Sequence, residues 1–130
     1  MAYLLVVDDD VDMLDLVVHR LRPTGHEVRS AVSAAVALAL VEQFGMPDAV
    51  ILDVAMPGTG GFELLEQLRS RQPGLPALFL TVLWGADVVE RVRAVNAGYA
   101  AKPFSVGQLH ASVSVLLAKS GAGDVPGGQS

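Results

Sequence analysis

The chain has no cysteine, which leaves it neither a disulfide framework nor a thiolate metal site. That absence also suits a reducing cytosol, and a cytoplasmic location is the expectation. Aromatic residues make up 5% of the 130 positions, with a single tryptophan, Trp84. Charged residues are 18%, against 52% hydrophobic, so a sizeable core is expected and disorder is not. No apolar run is long enough for a membrane span. The first, Tyr3–Val7, meets three aspartates at once, which also rules it out as a signal peptide. A net charge of −5 argues against nucleic-acid binding and against direct membrane attachment by this chain alone. Lysine is scarce too: Lys102 and Lys119 stand beside seven arginines, so a lysine inside Lys102-Pro103-Phe104 needs a reason.

What is present is an alternation of short apolar runs with longer stretches of helical period. The strands are expected at Tyr3–Val7, His26–Ala31, Ala49–Leu52, Ala77–Leu80 and Tyr99–Ala101. The first helix is expected over Val11–Leu21, with Asp10 as N-cap and Val11, Leu14, Val17, Val18 and Leu21 inward. The next runs from a Ser33 cap to Phe44, a third from about Phe62 to Arg71, and a fourth from Ala86 to Val95. The last opens on a Ser105-x-x-Gln108 capping box and buries Leu109, Val113, Leu116 and Leu117. Residues 1–119 make one domain; the glycine-rich stretch 120–130 is expected to be a flexible tail or the start of a linker. Five strands, each followed by a helix, predict a doubly wound α/β fold with a parallel five-stranded sheet.

In such a sheet, ligands bind beyond the carboxyl ends of the strands. The residues leaving four of the five strands are polar: Asp8 and Asp9, Asp53, Thr81, and then Lys102. Three carboxylates, a hydroxyl and an ammonium are the parts for an oxygen-ligated divalent cation beside a phosphoryl group. A carboxylate can attack phosphorus and form an acyl phosphate. Taken singly, each residue has a plainer reading as a helix cap, a turn initiator or a surface lysine, and Asp10 and Asp12 keep that reading. His19, His26 and His110 have no metal-like spacing, and the glycines at 58, 60 and 61 match no phosphate-binding fingerprint.

Four segments, Leu5–Asp10, Ile51–Gly58, Phe79–Thr81 and Lys102–Phe104, resemble the signatures of response-regulator receiver domains, in the family's order and near its spacing, over about Tyr3 to Ala118. The resemblance implies a flavodoxin-like sheet of order 2-1-3-4-5. It implies Asp53 as phosphoacceptor, Asp8, Asp9, Asp53 and the Ala55 carbonyl as Mg²⁺ ligands, and Lys102 as the phosphate-contacting lysine. It further implies Thr81 and Tyr99 as switch residues and a cis peptide bond before Pro103. The partners implied are a histidine kinase or phosphotransfer protein, an output domain or protein, and a second copy through the face of helix four, strand five and helix five. The domain would catalyse nothing beyond its own phosphoryl transfer and slow self-dephosphorylation.

The chain departs from the family's pattern in places. Ala55, Val82 and Leu83 are apolar where polar or small residues are usual, and Gly60 replaces an aspartate. The interval from Thr81 to Lys102 is one residue short. Either residues are missing after Gly98, with an insertion near Trp84, or Val95 stands where a glycine ends helix four. Trp84 itself reads as partial packing or a partner contact. A haloacid-dehalogenase-type phosphohydrolase would need a second aspartate two positions after Asp53, where Ala55 stands. A receiver that binds partners without phosphorylation is the remaining alternative.

Overall fold

A computed structural model of the chain describes residues 2–82, 85–102 and 104–120, with only the backbone of Ser120. Leu83, Trp84, Pro103 and the 121–130 stretch, together with the expectations attached to them, lie outside the described residues. The strands are β1 (Tyr3–Val7), β2 (Glu27–Ala31), β3 (Ala49–Leu52), β4 (Ala77–Thr81) and β5 (Gly98–Ala101). The helices are α1 (Val11–Leu21), α2 (Ala34–Phe44), α3 (Gly61–Arg71), α4 (Ala86–Ala94) and α5 (Val106–Ser120), with a 3₁₀ turn at Arg22–Thr24. All pairings are parallel, in the order β2-β1-β3-β4-β5.

The sheet is covered on both faces because alternate residues of its strands point to opposite sides. Leu5, Val7, Val50, Leu52, Ala77 and Phe79 join α2, α3 and Val92 of α4 in one core. Leu4, Val6, Ile51, Leu78 and Leu80 join α1 and α5 in the other. β3 and β4 are buried at every position, and each fully buried Leu or Phe contributes roughly 1.5–3 kcal/mol. Among the described residues, no helix is long and apolar enough to cross a membrane.

Local chemistry sets the helix ends. Asp10 caps α1, its carboxylate accepting from the Asp12 and Met13 amides, and Ser33 caps α2 through the Val36 amide. Ser105 and Gln108 bond reciprocally at the start of α5. The inward face of α1 is narrower than its periodicity suggests: Leu14, Val17 and Leu21 are buried, but Val11 is 55% exposed. Val11 is the first residue of the helix, where the chain has just left the sheet edge and has nothing to pack on.

At the end of α4 the left-handed position falls one residue after Val95, and Leu83 and Trp84 lie outside the described residues. Val95 is the C-cap in a near-helical conformation, and Asn96 takes the left-handed one at φ 54°. The Asn96 amide donates to the Arg93 carbonyl at 2.9 Å and the Ala97 amide to the Val92 carbonyl at 3.1 Å. These are the paired bonds of a Schellman cap, with Asn in the place glycine usually holds. Gly98 is already inside β5.

Candidate functional site

The site forms where β1, β3 and β4 end and the chain leaves β5. Asp8 follows β1 and is 4% exposed; its Oδ1 accepts the Asp10 amide at 3.0 Å, which folds the chain from strand into the α1 cap. Asp9 is exposed. Asp53 follows β3, its amide donating to the Val7 carbonyl at 3.0 Å and so tying it to the end of β1. One oxygen from each of Asp8, Asp9 and Asp53 lies within 4.8 Å of the others.

Lys102 reaches this cluster from beyond β5. Its Nζ is 2.5 Å from Asp8 Oδ2 and 3.5 Å from Asp53 Oδ2, and its side chain is only 8% exposed. Thr81, the last residue of β4, is fully buried, and its side chain helps hold the Asp53 carboxyl down. The Lys102 amide donates to the Thr81 carbonyl at 3.1 Å, so the two are also joined through the backbone. The Asp53 Oδ1 accepts the Val54 amide at 2.8 Å.

Burial and then the neighbouring Asp8 carboxylate push the Asp53 carboxyl above its ordinary range. Lys102, the Val54 amide and Thr81 oppose that rise without cancelling it. The cluster therefore lacks positive charge. Three carboxylates against one ammonium, all oxygen donors and one of them open to solvent, fit a hard divalent cation that keeps part of its water shell.

The sequence-derived residues divide clearly. Asp8, Asp9, Asp53, Thr81 and Lys102 converge. Ala55 is exposed and lines a depression of about 500 Å³ with Asp9, Met56, Gly58 and Glu63. Tyr99 lies on β5, opposite Phe79 in register and 42% exposed. His26 and His110 are occupied by backbone: His26 Nδ1 accepts the Ala2 amide, and His110 Nε2 contacts the Arg20 carbonyl.

Gly61, which in the sequence reads as a loop glycine without a role, opens α3. A Cβ there would stand 2.0 Å from the Asp53 carbonyl oxygen and 3.1 Å from the Phe79 ring. The first turn of α3 thus presses on the backbone that carries Asp53, and only glycine allows it. The doubled glycine at 60 and 61 was the available signal. Gly60, in an extended conformation, is the N-cap of α3 and offers no side-chain bond.

Residues 4–114 match the family model described as the response regulator receiver domain. The chain belongs to this family. Among curated relatives of this receiver domain, the probable transcriptional regulatory protein TcrX of Mycobacterium tuberculosis is 37% identical over 128 residues, covering 95% of this chain and 53% of TcrX. The uncharacterized transcriptional regulatory protein YrkP of Bacillus subtilis is 41% identical over 119 residues, covering 90% of this chain and 50% of YrkP. The receiver domain thus spans about half the length of the curated relatives it matches. Among solved structures, the Vibrio cholerae chemotaxis protein CheY4 superposes with a TM-score of 0.83 at 33% identity, covering 90% of this chain and 99% of that one. NtrX from Brucella abortus, in complex with ATP, superposes at 0.85 and 32% identity, covering 92% of this chain and 28% of NtrX. The sheet order found here is that of the chemotaxis-type receiver fold. The receiver domain is a module of two-component signalling.

Proposed function

We propose that the receiver accepts a phosphoryl group on Asp53 from the phosphohistidine of a histidine kinase or phosphotransfer protein, and thereby changes the face it offers to an output domain or partner. The observation that carries this is the Asp53 carboxylate held among Asp8, Asp9, Lys102 and Thr81 at the carboxyl edge of the sheet. An Asp53 carboxylate oxygen attacks phosphorus, the P–N bond breaks, and the imidazole nitrogen leaves with the electron pair and then takes a proton. Lys102 places an ammonium 3.5 Å from Asp53 Oδ2, where it would contact the incoming phosphoryl oxygens. Thr81 supplies a hydroxyl donor from the buried side.

Asp8, Asp9 and Asp53, with the Ala55 carbonyl, are the groups that would hold Mg²⁺. The bound ion would supply charge neutralisation at the phosphoryl oxygens. Before the donor arrives, Lys102 and Thr81 keep Asp53 oriented and offset part of the repulsion from Asp8. Afterwards the added negative charge competes with Asp8 for Lys102 and draws on the Thr81 hydroxyl. Tyr99 on β5 is exposed on the face this would alter, which suits an output contact or a second copy. In this reading the receiver turns over no other substrate and works in the cytoplasm.

Incubation of the protein with Mg²⁺ and acetyl phosphate, followed by intact-mass measurement, should show one phosphoryl adduct in wild type and none in Asp53→Asn. Equal labelling of the two, or no adduct in either, overturns the assignment. The latter result would favour a receiver that binds its partner unmodified.

A further inference from the structure

We propose that Arg69 is a pin that fixes the C-terminal end of α4 and leaves its N-terminal end, which follows Thr81 in the chain, as the end that moves. Arg69 lies in the last turn of α3, yet its guanidinium serves carbonyls of two other segments. Nε and Nη2 donate to the Leu75 carbonyl, just before β4, at 3.0 and 2.8 Å. Nη1 donates to the Val95 carbonyl, and Nη2 also to the Asn96 carbonyl at 3.2 Å. Among the described residues no carboxylate pairs with it. A planar fork of five donors can span several carbonyls at once, which an ammonium on a flexible stem cannot. The carbonyls it takes belong to the C-cap Val95 and to Asn96 just past α4, where the helix end leaves carbonyls without intrahelical partners and a cation complements the helix dipole.

The two ends of α4 are therefore unlike. The C-terminal end has the Schellman bonds of Asn96 and Ala97 together with Arg69, and Val92, near that end, is the helix's one buried residue. One turn back, the Arg91 guanidinium lies 4.0 Å above the Phe62 ring, a second tie to α3. The N-terminal end has Gly85 as a cap without a side chain, and Ala86 and Asp87 are exposed. The groove of about 700 Å³ between α3 and α4 lies at the held end, bordered by Arg69, Arg91, Ala94 and Asn96. A disturbance at Thr81 meets the loose end of a nine-residue lever whose far end is held. The asymmetry exists in the unmodified chain and does not depend on Asp53 accepting a phosphoryl group.

Residue-resolved amide hydrogen exchange on the full chain, without phosphodonor, tests it. In wild type the Val89 and Glu90 amides should exchange at least about 10-fold faster than those of Val95, Asn96 and Ala97. In Arg69→Gln the latter three should speed up by roughly 10- to 100-fold, the scale of losing charge-assisted hydrogen bonds, while the Leu5 and Ile51 amides keep their rates. Arg69→Lys, which keeps the charge and loses the fork, should fall between, and it decides the matter alone if Arg69→Gln does not fold. Equal exchange at the two ends in wild type, or unchanged C-terminal protection in the variants, overturns the pin. So does a rise shared equally by Leu5 and Ile51, which would make Arg69 a general stabilising residue.

Discussion

Replacing Lys102 with Met keeps most of the side-chain volume and removes the only ammonium among three carboxylates. At an effective dielectric constant of about 20, the attractions of Nζ to Asp8 at 2.5 Å and Asp53 at 3.5 Å total roughly 11 kcal/mol. Much of that is offset, because the ammonium no longer has to be desolvated and the abandoned carboxylates can take up protons. Truncating one member of a buried pair costs about 3–5 kcal/mol. The lower end applies here, since Asp9 is exposed and water reaches the cluster. A loss of about 3 kcal/mol is a large part of the ~5–15 kcal/mol that holds a domain together, and it lowers the urea midpoint by about 1–2 M.

The pH dependence follows from Asp53. Its carboxyl already titrates above the ordinary carboxylate range, and removing Lys102 takes away one of the groups that hold it down. The folded chain then binds more protons than the unfolded one, so stability falls as pH rises from the ordinary carboxylate value through the raised one. The variant should therefore lie closest to wild type at the acid end of that window and furthest from it above. Urea unfolding of both proteins across that range, with metal chelated, measures this. Added Mg²⁺ should raise the variant's midpoint more than that of wild type, because its cluster lacks more positive charge. A midpoint unchanged at neutral pH, or a gap that widens on acidification, refutes the reasoning.

Two further outcomes follow from the same geometry. Asp53→Asn should raise the stability of the unmodified, metal-free chain at neutral pH, since a buried group whose ionised form is disfavoured becomes neutral; a lowered urea midpoint would contradict this. Gly61→Ala should cost about 1–3 kcal/mol and weaken acetyl-phosphate labelling, because the added methyl meets the Asp53 carbonyl; wild-type stability and labelling would show that the backbone there yields freely.

The sheet and most element limits were legible because strand length and helical period alternate without ambiguity. The polar strand ends then located Asp8, Asp9, Asp53, Thr81 and Lys102 together. What stayed hidden involves backbone. Arg69 looks like any arginine on the polar side of a helix, since its partners are carbonyls that carry no side-chain signature. The close of α4 was ambiguous because Asn96 holds the left-handed position that a glycine search would look for. Gly61 matters through a carbonyl one turn away in space, not through any motif. Val11 misled because periodicity reports the direction of a side chain and not whether anything lies there to cover it.

Thr81 is where the site meets the rest of the fold. Its side chain favours the ionised Asp53, its carbonyl accepts the Lys102 amide, and its Cα pairs with Ala101 at the end of β5. The chain then continues through Val82, 64% exposed, toward the uncapped end of α4. On the reading proposed above, a change in charge on Asp53 would reach Lys102 directly and the chain leading to α4 through Thr81. Lys102 stands nearer to Asp8 than to Asp53 in this arrangement, so a new anion on Asp53 must draw it away from an existing partner. That shift cannot leave β5 untouched, because the backbone of Lys102 is bonded to the strand beside it. On the same reading, Tyr99, three residues before Lys102 and exposed, would be the β5 side chain to carry the change to the surface.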